Sequence, residues 1–116
     1  MKGYITLVKR GSIERVEISS ICYIQQQQRK LEILTAKRER YRVYGQVRDY
    51  EDCLDEGFVF IRKYTVVNLS HVKKMENCWI TFANDECLWV GKNNFIKARR
   101  MFNDFLEKNL ANADEL

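Results

Sequence analysis

The spacing of short patterned runs constrains this chain most. Between Tyr4 and Tyr44, apolar and polar residues alternate in brief segments with only a few residues between one segment and the next. YITLVKR interleaves Tyr4, Ile5, Leu7 and Val8 with polar residues, and after Gly11-Ser12 the pattern resumes in IERVEI through Ile13, Val16 and Ile18. ICYIQ is a mostly apolar run with both faces partly covered. KLEILT sets Leu31, Ile33 and Thr35 against Lys30, Glu32 and Leu34, AKRER is a charged loop, and YRVY returns as a strand. Successive side chains of a strand point to opposite faces, so such runs read as β-strands. Parallel neighbours need a crossover of a dozen or more residues, which these intervals do not contain, so the strands pair antiparallel.

The period changes in QVRDYEDCLDEG, where Val47, Tyr50 and Leu54 share one helical face and Gly57 stands as the C-terminal stop. Strands follow at Val59 to Ile61, around Val72 to Met75, in CWITF and in CLWV, with Asn84-Asp85 turning between the last two. NNFIKARRMFNDFLEKNL then carries a helical stripe of Phe95, Ala98, Phe102, Phe105 and Leu106, with Asn93 or Asn94 as its cap. Phe102 and Phe105 are too large to leave in water and pack on the sheet or on a second copy of the chain. The expected fold is mainly β with minor α: a single domain over residues 1–116. It has short antiparallel strands, one short internal helix and a C-terminal helix over 92–110. Residues 111–116 read as a disordered acidic tail.

Function classes narrow by what the residues offer. No nucleophile with a base beside it, no glycine-rich phosphate loop and no carboxylate pair emerges, so an enzyme is not expected. Cys22, Cys53, Cys78 and Cys87 form no C-x-x-C pair and His71 is the only histidine, so neither metal nor cofactor is expected. Cys22, Cys78 and Cys87 lie inside apolar runs and read as small buried residues. No run is long enough to cross a bilayer and no signal peptide opens the sequence, which gives a cytoplasmic expectation with no membrane partner. Charge is uneven. Residues 1–50 carry eleven Lys and Arg against five acids, whereas the remainder has nine against eleven. A basic body suits a polyanion, although an ordinary solvated surface would look similar.

FVFIRKYTVVNL, Phe58 to Leu69, places Arg62 and Lys63 between two apolar runs and ends in Val66-Val67-Asn68. This segment resembles the signature of the LytTR family of bacterial DNA-binding domains, which usually form the output domain of response regulators. Other landmarks follow in order: VKRGS as the opening strand and turn, ISSICYIQ as the next element, the Val47, Tyr50 and Leu54 helix, and LWVGKNN as the closing strand and loop. The resemblance runs nearly the whole chain, to about Arg100. Departures are Arg62 for the usual histidine, Tyr64 for serine, Thr65 for an aromatic, Ser19-Ser20 for two acids, Gln25 for glutamate and Gly91 for serine. No receiver domain precedes the family region, so the expectation is a stand-alone regulator or part of a longer one.

The resemblance implies an elongated β fold and a transcriptional regulator that reads double-stranded DNA at paired sites through loops between strands, which enter successive major grooves. Arg29, Lys30, Lys63, Lys92 and Asn93 are the expected base contacts; Gln28, Arg62, Arg40, Arg42 and Asn94 are the expected phosphate contacts. Arginine and lysine suit guanine acceptors, and glutamine and asparagine suit adenine. Each loop also has a plain structural reading: a solvated hairpin at Gln27 to Lys30, an edge-strand pair at Arg62-Lys63, helix capping at Asn93 or Asn94. Asn68 is expected to satisfy the backbone of a turn. Lys73 and Lys74 alternate across a strand, so at most one should face DNA. The rival function is a protein-interaction or dimerisation module with a basic face and no sequence-specific DNA binding; under either reading the C-terminal helix is a candidate homodimer surface. RNA binding would call on Tyr41 and Tyr44 as stacking rings.

Overall fold

The computed structural model describes the backbone of residues 3–114 and the side chains of residues 3–109. Among the described residues ten strands form three antiparallel sheets. Strands β1 (Tyr4–Lys9) and β2 (Ser12–Glu17) make a hairpin; β3 (Ile21–Gln27), β4 (Lys30–Thr35), β5 (Arg40–Tyr44), β6 (Phe58–Arg62) and β7 (Thr65–Asn68) form a sheet ordered β5-β4-β3-β7-β6. The third sheet, β10-β9-β8, contains β8 (Val72–Glu76), β9 (Trp79–Phe82) and β10 (Cys87–Trp89). Helix α1 spans Lys92–Asp114. The principal extents are 48 × 35 × 24 Å, so the molecule is elongated, as expected.

The five-stranded sheet is the middle layer. Ile24, Leu31, Ile33, Val43 and Val66 on one face pack with Ile5, Leu7 and Val16 of the hairpin. On the other face Tyr23, Leu34, Ile61 and Val67 pack with Ile80, Phe82, Leu88, Val90 and Ala98. Covering both faces explains the strand that sequence reading did not separate. All four residues of β7 are buried, so the run lacks the alternation that marks a half-exposed strand.

Other differences have local causes. The segment after β5 is a 3-10 helix, Val47–Cys53, whose terminal cap is Leu54. Gly57 therefore does not stop it; an added Cβ there would lie 3.2 Å from Asn68 Oδ1, so the glycine gives room to that side chain. Lys73 and Lys74 are both exposed because a bulge between Val72 and Lys74 breaks the alternation of β8. Each lies in an ion pair, Lys73 with Asp85 at 2.7 Å and Lys74 with Glu76 at 3.1 Å. Of the cysteines only Cys22 is fully buried; Cys78 sits half-buried in a turn and Cys87 is exposed on β10. Helix α1 continues past its expected end at 110 to Asp114, through a segment in which Ala111 and Ala113 favour helix. The last two residues of the expected tail lie outside the described residues. Among the described residues no helix is long and apolar enough to cross a membrane, which leaves open what strands could do.

Candidate nucleic-acid interface

Strand register decides what stands at each end of the central sheet. β3 and β4 pair as far as Gln27↔Lys30, which leaves Gln28 and Arg29 as the turn. β6 and β7 pair as far as Arg62↔Thr65, which leaves Lys63 and Tyr64. Because β7 lies beside β3 with Gln25 opposite Thr65, and the Gln26 amide donates to the Tyr64 carbonyl at 2.9 Å, both turns leave the same end of the sheet side by side. β5 finishes there too, with Tyr44 opposite Lys30 and the Gly45 amide donating to the Arg29 carbonyl at 2.9 Å.

Residues directly opposite in an antiparallel pair share a face. The register therefore aligns Arg42, Glu32, Gln25, Thr65 and Arg62 across five strands, with Tyr44, Lys30 and Gln27 in the next row toward the turns. Farther in, the same face carries Tyr23, Leu34 and Val67 under the β8–β10 layer. Gln27, Lys30, Arg42 and Tyr44 are exposed, so that layer ends before the tip and the face passes from apolar core to polar shelf.

The run QQQQ divides its work by this alternation. Gln25 and Gln27 face the shelf. Gln26 points the other way; its Nε2 donates to the Gln28 carbonyl at 3.0 Å and its Oε1 accepts from the Val47 amide at 2.9 Å. Gln28 makes the turn with φ 58°, a left-handed conformation that costs a non-glycine residue about 1 kcal/mol.

The cations at this end stand over rings. Lys30 Nζ lies 5.3 Å from the centre of the Tyr44 ring and Lys63 Nζ 5.2 Å from that of Tyr64, within the range of cation–π attraction. Arg62 Nε donates to the Thr65 hydroxyl at 3.0 Å. Among the described residues none of Arg29, Lys30, Arg62 or Lys63 is in an ion pair. Their charge is open to a partner.

Arg42 stands on the shelf but is paired with Glu32 at 3.1 Å. Arg40 does not belong to the tip. It sits opposite Leu34, well back from the turns, where Nη2 lies 2.5 Å from Glu86 and Nη1 donates to the Tyr23 hydroxyl at 3.2 Å. Its place is a clasp between the central sheet and the β9–β10 turn, a structural role beside the phosphate contact expected of it. Tyr41, offered as a stacking ring, is buried with its hydroxyl donating to Glu14 at 3.1 Å.

Lys92 and Asn93 are exposed at the start of α1, while Asn94 is half-buried and donates to the Val90 carbonyl at 3.0 Å. The helix begins at Lys92, and its first bond runs from the Phe95 amide to the Gly91 carbonyl at 2.9 Å. Gly91, at φ +81°, therefore takes the cap position expected for Asn93 or Asn94. The far half of α1 packs at the other end of the sheet: Met101 and Phe105 line a groove with Val59 and Leu69, and Lys108 pairs with Glu56 at 3.0 Å. At 1.5 Å per residue, Lys92 lies about 20 Å along the axis from Phe105. Sequence reading missed Gln25 and the clasp made by Gln26; the two-residue period of ICYIQQQQ was the signal that could have found both.

Three comparisons bear on this geometry. The family model described as the LytTr DNA-binding domain matches residues 11–103. The fold is similar to the LytTr DNA-binding domain of a methyl-accepting/DNA response regulator from Bacillus cereus, with TM-score 0.69 at 17% identity, covering 88% of this chain and 97% of that one. No curated protein matches.

Proposed function

The chain belongs to the LytTR family of DNA-binding domains, and from that premise we propose that it binds double-stranded DNA sequence-specifically as a transcriptional regulator. The observation that carries this is the pair of adjacent turns, Gln28-Arg29 and Lys63-Tyr64, with cations that no described acid neutralises. Two strand spacings separate the centres of the turns, about 10 Å, so both can meet the same face of a duplex. Arg29, Lys30 and Lys63 reach base edges there, and Gln28, Arg62, Arg42 and Asn94 reach phosphates. The 48 Å length of the molecule exceeds one duplex turn, about 34 Å, so Lys92 and Asn93 can serve the adjoining groove. Two chains at paired sites, joined through the C-terminal helix, complete the assembly, and the compartment is the one that holds DNA.

A duplex mobility shift with a salt titration tests this. Contact with about six phosphates gives log K against log salt a slope near −5. Specific competitor DNA should displace the chain at far lower concentration than random duplex. A flat salt response, or no shift at low salt, overturns the proposal.

A further inference from the structure

The shelf beside the two turns carries one acid. In the two rows that the register sets there, Lys30, Arg42 and Arg62 are basic and Glu32 alone is acidic. Glu32 lines an open hollow together with Gln27, Lys30, Arg42 and Tyr44, one row back from Lys30 and so about 7 Å from it along β4. Both oxygens of its carboxylate are engaged. Oε2 accepts from Arg42 Nη2 at 3.1 Å and from Arg42 Nε at 3.3 Å, and Oε1 accepts from the Tyr23 hydroxyl at 3.2 Å. Arg40 Nη1 lies 3.9 Å from Oε2. The two ends of the Arg42 pair differ in freedom: the Glu32 side chain is 25% exposed and that of Arg42 73%. The acid is fixed in the floor of the hollow, and the guanidinium is free to swing away from it.

We propose that Glu32 stands in for a DNA phosphate: it holds Arg42 while the chain is free and yields it to the duplex. A carboxylate and a phosphate offer an arginine the same thing, anionic oxygens for its N–H fork. The two therefore compete for Arg42, and the strength of the Glu32 pair is subtracted from whatever Arg42 gains on DNA. An exposed ion pair is weak enough to be exchanged without harm to the fold. Glu32 is not stranded by the exchange, because the Tyr23 hydroxyl and Arg40 stay beside it. A phosphate contact carries no sequence information, so the competition lowers affinity for every duplex alike and leaves the choice of sequence to the turns. The inference rests on the reading of Arg42 as a phosphate contact. Glu32 is a positioning residue in that reading: it acts through Arg42 and sets how much that contact adds.

The test is a duplex titration of the whole chain over a range of salt. Glu32→Gln keeps an acceptor for the Tyr23 hydroxyl and removes the charge. It should bind preferred and random duplex alike about two- to fivefold more tightly at low salt, the strength of an exposed ion pair. Its salt slope should steepen by about 0.9, as one further phosphate is neutralised. The gain must run through Arg42: in a chain already carrying Arg42→Gln, adding Glu32→Gln should recover only a small part of it. A general loss of negative charge would help both backgrounds equally, and that outcome overturns the proposal. So does a Glu32→Gln chain with the affinity and slope of the parent. The unaltered chain supplies a second reading that no folding defect can blur. The NMR resonance of the Arg42 Nε–H should move when duplex is added, and a resonance that stays in place while the chain binds overturns the proposal too. A parent that shifts no duplex at low salt overturns the DNA reading itself, and this inference with it.

Discussion

The side chain of Gln26 holds the backbone of Val47: Oε1 accepts from the Val47 amide at 2.9 Å while Nε2 donates to the Gln28 carbonyl at 3.0 Å. One residue thus ties the β3–β4 turn to the start of the 3-10 helix. Gln26→Leu keeps the bulk and removes both bonds, leaving the half-buried Val47 amide without its acceptor. A loss of roughly 1–2 kcal/mol in denaturant unfolding is expected. Amide exchange at Val47 should accelerate as well, and unchanged exchange there would show that the clasp does not hold.

Asn68 is the other polar side chain that the fold depends on. It is 3% exposed, its Nδ2 donates to the Ile21 carbonyl at 2.9 Å, and its Oδ1 accepts from the Ser70 amide at 3.1 Å. Asn68→Leu takes away the partners of two backbone groups, the Ile21 carbonyl and the Ser70 amide. The expected cost is about 1–3 kcal/mol for each group left unpaired. Ser70→Ala removes only the hydroxyl contact and should cost much less. Comparable losses in the two variants, read by thermal or urea unfolding, would contradict this account.

The alternation of YRVY and the stripe of α1 were legible because each has one wet face and one dry one. β7 was not, because its burial on both faces erases the period. Asn68 was legible as a residue that satisfies backbone, since a buried amide next to a turn has few other uses. At the candidate site the basic turns could be named from the sequence, but their adjacency could not. It follows from β7 pairing with β3, a contact made across the whole β4–β6 excursion. Arg40 and Arg42 look alike in the sequence, two residues apart on one strand, yet Glu86 reaches only the first. Such long-range acids are invisible to local pattern.

Alkaline pH should weaken the fold. Burial pushes the Cys22 thiol up to about 11, with Glu86 adding to it. Burial likewise pushes the Tyr41 phenol up to about 12, helped by its hydrogen bond to Glu14. Both groups are neutral when protonated, and the unfolded chain loses these protons first, near the ordinary values of 9.0 and 10.0. Their stabilising contribution is therefore complete below about pH 9 and is lost as pH rises toward the folded values. The thermal midpoint should hold near neutrality and fall above about pH 9. Combining Cys22→Ala with Tyr41→Phe should flatten that fall relative to each variant's own neutral midpoint. An equally steep decline would place its cause elsewhere, with Tyr23, also raised by burial, the next group to replace.

Lys63 and Arg40 give opposite expectations, and together they test which end of the sheet meets DNA. Lys63 is exposed in the β6–β7 turn and touches the Tyr64 ring, so Lys63→Ala should leave the unfolding midpoint where it is. In a duplex titration it should cost roughly 1–3 kcal/mol if the amine meets a base edge, with the loss concentrated on the preferred sequence. Arg40 bridges Tyr23 and Glu86, so Arg40→Ala should lower the unfolding midpoint by releasing the β9–β10 turn from the central sheet. Its effect on affinity should be small at a temperature where the variant is folded. Salt slopes sharpen the contrast: losing a phosphate contact reduces the slope by about 1, losing a base contact lowers affinity with little change of slope, and Arg40→Ala should do neither. Were Arg40→Ala to abolish binding while Lys63→Ala bound like the parent at low salt, DNA would have to lie against the opposite end of the sheet.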